Sequence, residues 1–153
     1  MISGLLVSAI AAADGPAEQR YAAGASLFQA NCAVCHTATG VGQPGLAPPL
    51  TSYPALYARD PEGRRQLVWT VLFGMFGDVV VDERHYNFKM PDFARLDDSD
   101  IAAVLNFVVF DLGHAGDGIP PIAAAEVAPE RSLALAGDAV RRHRLAVLAA
   151  ARP

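Results

Sequence analysis

The pattern of apolar and polar positions predicts a helix near the start of the chain. Three apolar residues recur there at helical spacing and share one face: Tyr21, Ala25 and Phe28. The tripeptide Asp14-Gly15-Pro16 precedes them and combines cap residues with a proline that suits an early helical position. The predicted helix runs from this turn to about Ala30.

Two later stretches show the same helical period. The tripeptide Asp60-Pro61-Glu62 predicts a helix start, and apolar residues follow at helical spacing until Gly74 ends the helix. Another helix is predicted to open at Asp97, with Asp100 as its capping-box partner, and to run to about Asp111. The apolar residues of this last helix are Ile101, Val104, Leu105 and Val108.

The segments between these helices are predicted to be loops. Glycine and proline are frequent from Gly40 to Pro49, and residues 77–86 alternate loosely in the manner of a small hairpin. Three principal helices joined by long loops predict an all-α fold for residues 14–113. No internal repeat is visible in the sequence.

Residues 114–153 are predicted to form a C-terminal extension. A linker rich in glycine and proline leads to helical stretches around Ala123 to Val127 and Ser132 to Ala150, the second interrupted at Gly137. The second stretch is amphipathic and basic, and its arginines include Arg141, Arg142 and Arg144. Such a helix packs on its own domain or, alternatively, docks on an acidic partner or a lipid surface.

Composition limits the architecture and the partners. The chain has 153 residues, of which 52% are hydrophobic, and this is enough apolar material for one packed core. The formal net charge of −4 argues against nucleic acid as a partner. Residues 1–13 form an apolar run that ends in Ala11-Ala12-Ala13 and resembles an export signal without its basic leading segment. The alternative is a disordered terminus, and the run is too short to span a bilayer.

The pentapeptide Cys32-Ala33-Val34-Cys35-His36 carries the clearest chemistry of the chain. The sequence Cys-x-x-Cys-His is the attachment motif of a c-type haem. On one helical turn the two thiols stand close enough to add across the two haem vinyl groups, and His36 then ligates the iron. One motif predicts one covalent haem. Since bacterial attachment of this kind is expected outside the cytoplasmic membrane, the motif and the apolar leader both predict the periplasm.

Two other chemistries use a Cys-x-x-Cys pair. A zinc site needs further ligands, and the chain contains only two cysteines. A thioredoxin-like dithiol normally lies in a strand-helix unit, whereas Cys32 and Cys35 follow a predicted helix. Haem attachment is therefore the favoured interpretation.

The residue on the other side of the iron distinguishes an electron carrier from a haem with an open coordination position. The candidates are Met75, Met90, His85, His114 and His143. Met90 is favoured because it lies on a loop just before the last predicted helix, where Pro91 stiffens the backbone. A buried core methionine is the alternative, and Met75 fits that alternative better than Met90. His85 lies in a polar stretch and is expected to be exposed.

Together these features resemble the class I cytochromes c, which are single-haem electron carriers made of helices folded around the cofactor. The resemblance covers about residues 17–112. It implies that Gly24 and Phe28 of the first helix pack against Phe107 of the last one. It also implies that the carbonyl group of Pro48 accepts a hydrogen bond from His36, which would orient the imidazole.

A finer resemblance concerns the segment before Met90. The family has a Met-Pro sequence there, and Tyr86-Asn87 shortly before Met90 is similar to the cytochrome subunits of periplasmic dehydrogenases that oxidise sulfite, alcohols or aldehydes. Tyr86 and Asn87 would hydrogen-bond a haem propionate or the Met90 sulfur, and the alternative is a turn fixed by asparagine. Trp69 would donate its indole proton to a propionate, and the alternative for it is a core position.

The resemblance implies an electron carrier rather than an enzyme. Its partners would be redox proteins: a dehydrogenase as donor, and an oxidase or another cytochrome as acceptor. The competing hypothesis is a haem enzyme or gas sensor in which Met90 is absent from the iron. A third hypothesis, a thiol oxidoreductase without haem, predicts a colourless protein.

Overall fold

The computed structural model describes residues 21–151, and within them the fold is mostly helical, as the sequence predicts. The helices of the body are α1 (Ala22–Asn31), α2 (Ala33–His36), α3 (Tyr53–Tyr57), α4 (Pro61–Phe73) and α5 (Asp98–Asn106). Helix α5 continues as a π-helical segment, Phe107–Leu112. Strands β1 (Val79–Val81) and β2 (Arg84–Tyr86) form an antiparallel hairpin. The extension holds α6 (Ala124–Val127), a 3₁₀ segment (Ala128–Leu133) and α7 (Gly137–Ala150).

Two of the predicted helix starts are confirmed by their caps. The Asp60 carboxylate accepts a hydrogen bond from the backbone N–H of Gly63 at 2.9 Å, and this cap begins α4. The Asp97 carboxylate accepts one from the N–H of Asp100 at 2.7 Å, and this cap begins α5. The cap predicted at Asp14-Gly15-Pro16 and the apolar run 1–13 lie outside the described residues.

Helices α1 and α5 cross at Gly24. A Cβ atom at this position would lie 2.1 Å from the carbonyl oxygen of Ala103, so only glycine permits the approach. Beside the crossing, the rings of Phe28 and Phe107 pack with their centroids 5.3 Å apart, and Phe28 is fully buried. The contact between Gly24, Phe28 and Phe107 that the resemblance implied is therefore present.

The hairpin predicted within residues 77–86 is also present. Val79 is paired with Tyr86, and Val81 with Arg84. Val79, Val81 and Tyr86 are buried and form a small apolar cluster against Tyr53 and Met75. Both strands therefore direct apolar side chains into the interior of the protein.

The C-terminal extension packs on the body. Ile122, Val127 and Val147 lie in the same apolar cluster as Leu72 and Ile101. The expectation that Gly137 interrupts a helix is wrong, because α7 begins at this residue. The absence of a side chain there matters for packing: a Cβ atom would lie 2.8 Å from Cδ1 of Phe76.

Two features bear on whether α7 docks elsewhere. Arg144 is only 5% exposed, and Arg142 pairs with Asp138 on the same helix. The exposed basic face that a docking helix would need is therefore reduced. Among residues 21–151, no helix combines the length and the apolar character that are needed to cross a bilayer.

Arg64 of α4 connects the extension to the body. Its guanidinium donates to both carboxylate oxygens of Glu126 at 2.7 Å, and to the carbonyl oxygens of Pro120 at 2.8 Å and Pro121 at 3.0 Å. The Arg64 side chain is 13% exposed and that of Glu126 is 38% exposed. These hydrogen bonds hold the pKa of Glu126 below its ordinary value, against the opposing effect of partial burial.

The substitution Glu126→Gln is expected to lower the free energy of unfolding at pH 7 by about 1 kcal/mol, a value reduced for solvent screening. A carboxyl group whose pKa is depressed in the folded state stabilises the fold above its unfolded pKa. That contribution is lost as the pH falls through the lowered pKa that Glu126 has in the folded state. The difference between parent and variant should therefore disappear in acid, and denaturant unfolding at both pH values measures it.

Glu83→Gln is the matched control, since Glu83 is exposed and forms no ion pair with any residue of 21–151. It should leave stability unchanged at both pH values. A Glu126→Gln effect of equal size at neutral and acid pH would contradict an electrostatic origin.

Candidate haem-binding site

A deep apolar cleft lies between the helices, the hairpin and α7. It holds about 1420 Å³ of empty space, part of which is open to solvent at the mouth. Apolar side chains from all parts of the body line it, among them Phe28, Leu50, Leu67, Val81, Phe93 and Leu105. A concave site of this size with an apolar wall is suited to a large flat apolar ligand.

The two cysteines and His36 stand together in this cleft. Cys32 ends α1, Cys35 and His36 belong to α2, and all three line the cleft. The two cysteines form no disulfide. Burial raises the pKa of Cys32 to about 11. The Arg95 charge lowers this pKa and Cys35 raises it, and both effects are smaller than that of burial. Because a reactive dithiol needs a thiolate at neutral pH, this environment does not suit a thioredoxin-like exchange reaction.

The hydrogen bonding of His36 leaves one ring nitrogen available. Its Nδ1 lies 2.9 Å from the carbonyl oxygen of Pro48, as the resemblance implied. A carbonyl oxygen only accepts, so Nδ1 carries the proton and Nε2 carries a lone pair. Burial lowers the pKa of His36, and the bond to Pro48 opposes this shift. A buried neutral imidazole with its proton fixed on Nδ1 is suited to ligate a metal through Nε2.

Of the candidate second ligands, the structure brings the two methionines to the cleft. Met75 and Met90 both line it, and a pair of backbone hydrogen bonds of 3.1 Å and 2.8 Å joins them. The three histidines do not line it: His85 and His114 are exposed, and His143 is bonded to Gln66 and Glu62. Met75 also packs against the apolar cluster of Val79, Val81 and Tyr86, which agrees with its interpretation as a core residue.

The other residues singled out from the sequence divide into two groups. Tyr86 is 6% exposed and lines the cleft, whereas Asn87 is exposed and does not. Trp69 faces away: its indole N–H donates to Oε2 of Glu130 at 2.6 Å, and its ring packs on His143. The structure thus gives that N–H a different acceptor from the propionate expected for it. Trp69 does not reach the cleft because it lies on another face of α4. The residues of α4 that line the cleft are Gln66, Leu67, Thr70 and Val71.

Arg144 is a site residue that sequence reasoning missed. It lines the cleft at 5% exposure, with its guanidinium 3.4 Å from the carbonyl oxygen of Val80 and 5.9 Å from the ring centroid of Tyr53. No Asp or Glu of residues 21–151 forms an ion pair with it. A buried cation without a counter-ion is costly, so this position suits an anionic group of a ligand. The signal in the sequence was its helical spacing with Val140 and Val147, which are both buried.

Comparison with known families identifies the fold. A family model described as cytochrome c matches residues 21–109, which is more than half of the chain. The chain belongs to the cytochrome c family. It is 38% identical to cytochrome c-552 of Thermus thermophilus over 123 residues, which cover 79% of this cytochrome c and 93% of that relative. A second cytochrome c-552 of the same species is 37% identical over 79% of the chain and 82% of its own length.

A third relative is a subunit of a larger enzyme. This cytochrome c is 30% identical over 99 residues to the cytochrome c subunit of the quinone alcohol dehydrogenase of Gluconobacter oxydans. The match covers 63% of the present chain and 20% of that subunit.

The cofactor of this cytochrome c is haem c, which proteins of the family bind covalently. The structure fits this group, because the cleft combines an apolar wall with a Cys-x-x-Cys-His run at its edge. Residues 21–151 contain no cluster of three or more His, Cys, Asp or Glu side chains that could hold a metal ion. The residues that could hold the haem are Cys32, Cys35, His36, Met90 and Arg144.

Proposed function

We propose that this protein is a periplasmic single-haem electron carrier that passes electrons from a dehydrogenase to an acceptor such as an oxidase. The observation that supports it best is one apolar cleft that contains both cysteines, a neutral His36 and the methionine pair. The relationship to a cytochrome subunit of a quinone dehydrogenase supports the choice of donor. The Cys-x-x-Cys-His motif and the apolar start of the chain support the periplasm.

Each residue of the cleft has a separate role in this proposal. Cys32 and Cys35 would attach the cofactor through thioethers, and His36 would ligate the iron through Nε2 while Pro48 holds the orientation of the imidazole. Met90 would be the second protein ligand of the iron. When bound, haem c supplies a one-electron change between ferrous and ferric iron, and a methionine ligand favours the ferrous state.

The C-terminal extension is part of the site in this proposal. Helix α7 places Arg144 in the cleft, where it offers a positive charge to the carboxylates of the cofactor. The same helix packs on the segment that follows α4, where the backbone N–H of Phe76 donates to the carbonyl oxygen of Gly137 at 3.4 Å. The extension therefore contacts both the segment that carries Met75 and the wall of the cleft.

The route for the electron is at the mouth of the cleft. Val34, which lies between the two cysteines, is 78% exposed, and Phe88 is 64% exposed, yet both line the cleft. Exposed apolar side chains at the edge of a buried cofactor favour close approach of a redox partner. We therefore place partner contact at Val34 and Phe88.

Spectroscopy of the protein purified from cells with a haem-maturation system tests the proposal. The mass should exceed that of the polypeptide by one haem. The ferric protein should show a weak sulfur-to-iron band in the near infrared, and the ferrous protein should not bind carbon monoxide. A high-spin ferric spectrum with ready binding of carbon monoxide would instead support a haem enzyme or gas sensor.

A further inference from the structure

A chain of hydrogen bonds leads from the surface to the cleft through His143 of α7. Its Nε2 lies 3.1 Å from Oε2 of Glu62, which is exposed, and its Nδ1 lies 2.7 Å from Oε1 of Gln66. The Gln66 side-chain amide donates in turn to Oγ1 of Thr70 at 2.9 Å. Gln66 is 1% exposed, and both Gln66 and Thr70 line the cleft. A surface carboxylate is thus joined to the wall of the cofactor site.

Both neighbours of the His143 ring are hydrogen-bond acceptors. The carboxylate of Glu62 and the side-chain carbonyl oxygen of Gln66 accept hydrogen bonds and cannot donate them. A neutral imidazole has one N–H, so it satisfies one of these acceptors and turns a lone pair toward the other. An imidazolium satisfies both. The geometry therefore offers a hydrogen-bond acceptor to each ring nitrogen.

The groups around His143 carry more negative than positive charge. Arg65 of α4 bonds to Glu62 at 2.9 Å and to Glu130 of the 3₁₀ segment at 3.3 Å, so two carboxylates share one guanidinium. On α7 itself, Arg142 is paired with Asp138, and Arg144 lies in the cleft. The Trp69 ring packs on the imidazole with centroids 4.4 Å apart and covers that side. The two carboxylates and one guanidinium beside the imidazole therefore carry a net negative charge.

We propose that His143 is a positioning residue for electron transfer, and that the proton it holds favours the reduced protein through Gln66 and Thr70. This rests on the proposed function as an electron carrier. On reduction, one electron enters the cleft from a one-electron donor protein, and a fraction of the molecules takes up a proton at His143 from solvent at the Glu62 edge. Both leave on oxidation. The reduced site carries one positive charge fewer, so a positive charge on His143 is more favourable in that state. By linkage, the reduced protein binds the proton more tightly.

The test is the reduction potential of the haem-loaded protein between pH 5 and pH 8, the range in which histidine changes charge. The potential of the parent should fall as the pH rises. Proton binding that is about tenfold tighter in the reduced state corresponds to a total fall of about 59 mV. His143→Gln should remove the fall. The matched control is His85→Gln, since His85 also faces a carboxylate, Asp78 at 2.8 Å, but at the exposed surface; it should retain the fall.

Glu62→Gln provides a second measurement that does not depend on the folding of the His143 variant, because Glu62 is on the surface. Loss of this carboxylate weakens proton binding at His143, so the fall in potential should move to lower pH. A fall that persists in His143→Gln, or an unchanged position in Glu62→Gln, overturns the proposal. A protein without haem would refute the proposed function itself, whereas a haem-loaded protein with a sulfur-to-iron band and a pH-independent potential would refute only this inference.

Discussion

Cys32→Ser combined with Cys35→Ser is expected to yield a protein without covalently bound haem and without a stable fold. The two thiols stand at the edge of a cleft that no side chain fills, so loss of the cofactor leaves apolar walls exposed to water. A cofactor that binds only the native state stabilises that state, so loss of the cofactor also lowers the free energy of unfolding. Acid-acetone extraction should then remove all haem from the variant, and circular dichroism should show a loss of most helical signal.

The single variants provide the control for this prediction. Cys32→Ser and Cys35→Ser should each retain one thioether bond and some coloured protein, at lower yield than the parent. A double variant that still carries haem after extraction would contradict attachment at these residues. A colourless parent protein would contradict the haem assignment altogether.

Met90→Ala is expected to open one coordination position of the iron. The ferric spectrum should lose its sulfur-to-iron band, the ferrous protein should bind carbon monoxide, and the reduction potential should fall by about 0.1–0.3 V. This range is part of the roughly 0.8 V that axial ligands span in haem proteins. Optical spectroscopy and potentiometry measure all three changes.

Met75→Leu is the matched control, because Met75 lies in the same cleft and is bonded to Met90 through the backbone. A leucine conserves the volume and removes the sulfur. It should preserve the band and exclude carbon monoxide. The opposite result, with the band lost in Met75→Leu and kept in Met90→Ala, would assign the ligand to Met75.

Much of the architecture follows from local sequence. The starts of α4 and α5 follow from Asp60 and Asp97, because an aspartate side chain can satisfy a free backbone N–H of its own first turn. The hairpin at residues 77–86 follows from an alternating pattern. The haem motif is equally local, since Cys32, Cys35 and His36 must lie within one helical turn to act on one cofactor.

Other features could not be predicted because they depend on which helix face meets which neighbour. Trp69 was expected to reach a propionate, but its N–H donates to Glu130, which is distant in sequence and close only after the extension folds back. Gln66 and His143 meet for the same reason. Helical periodicity indicates that residues share a face, yet it does not indicate what that face contacts.

The amino-acid sequence by itself determined the haem motif and the helical class, and it predicted a methionine as second ligand, because these depend on short-range spacing and side-chain chemistry. The tertiary structure alone decided that the C-terminal extension closes the cofactor cleft. It placed the buried cation of Arg144 in that cleft and joined His143 to Gln66 of the cleft wall, since burial and pairing of charges arise only when distant segments pack together.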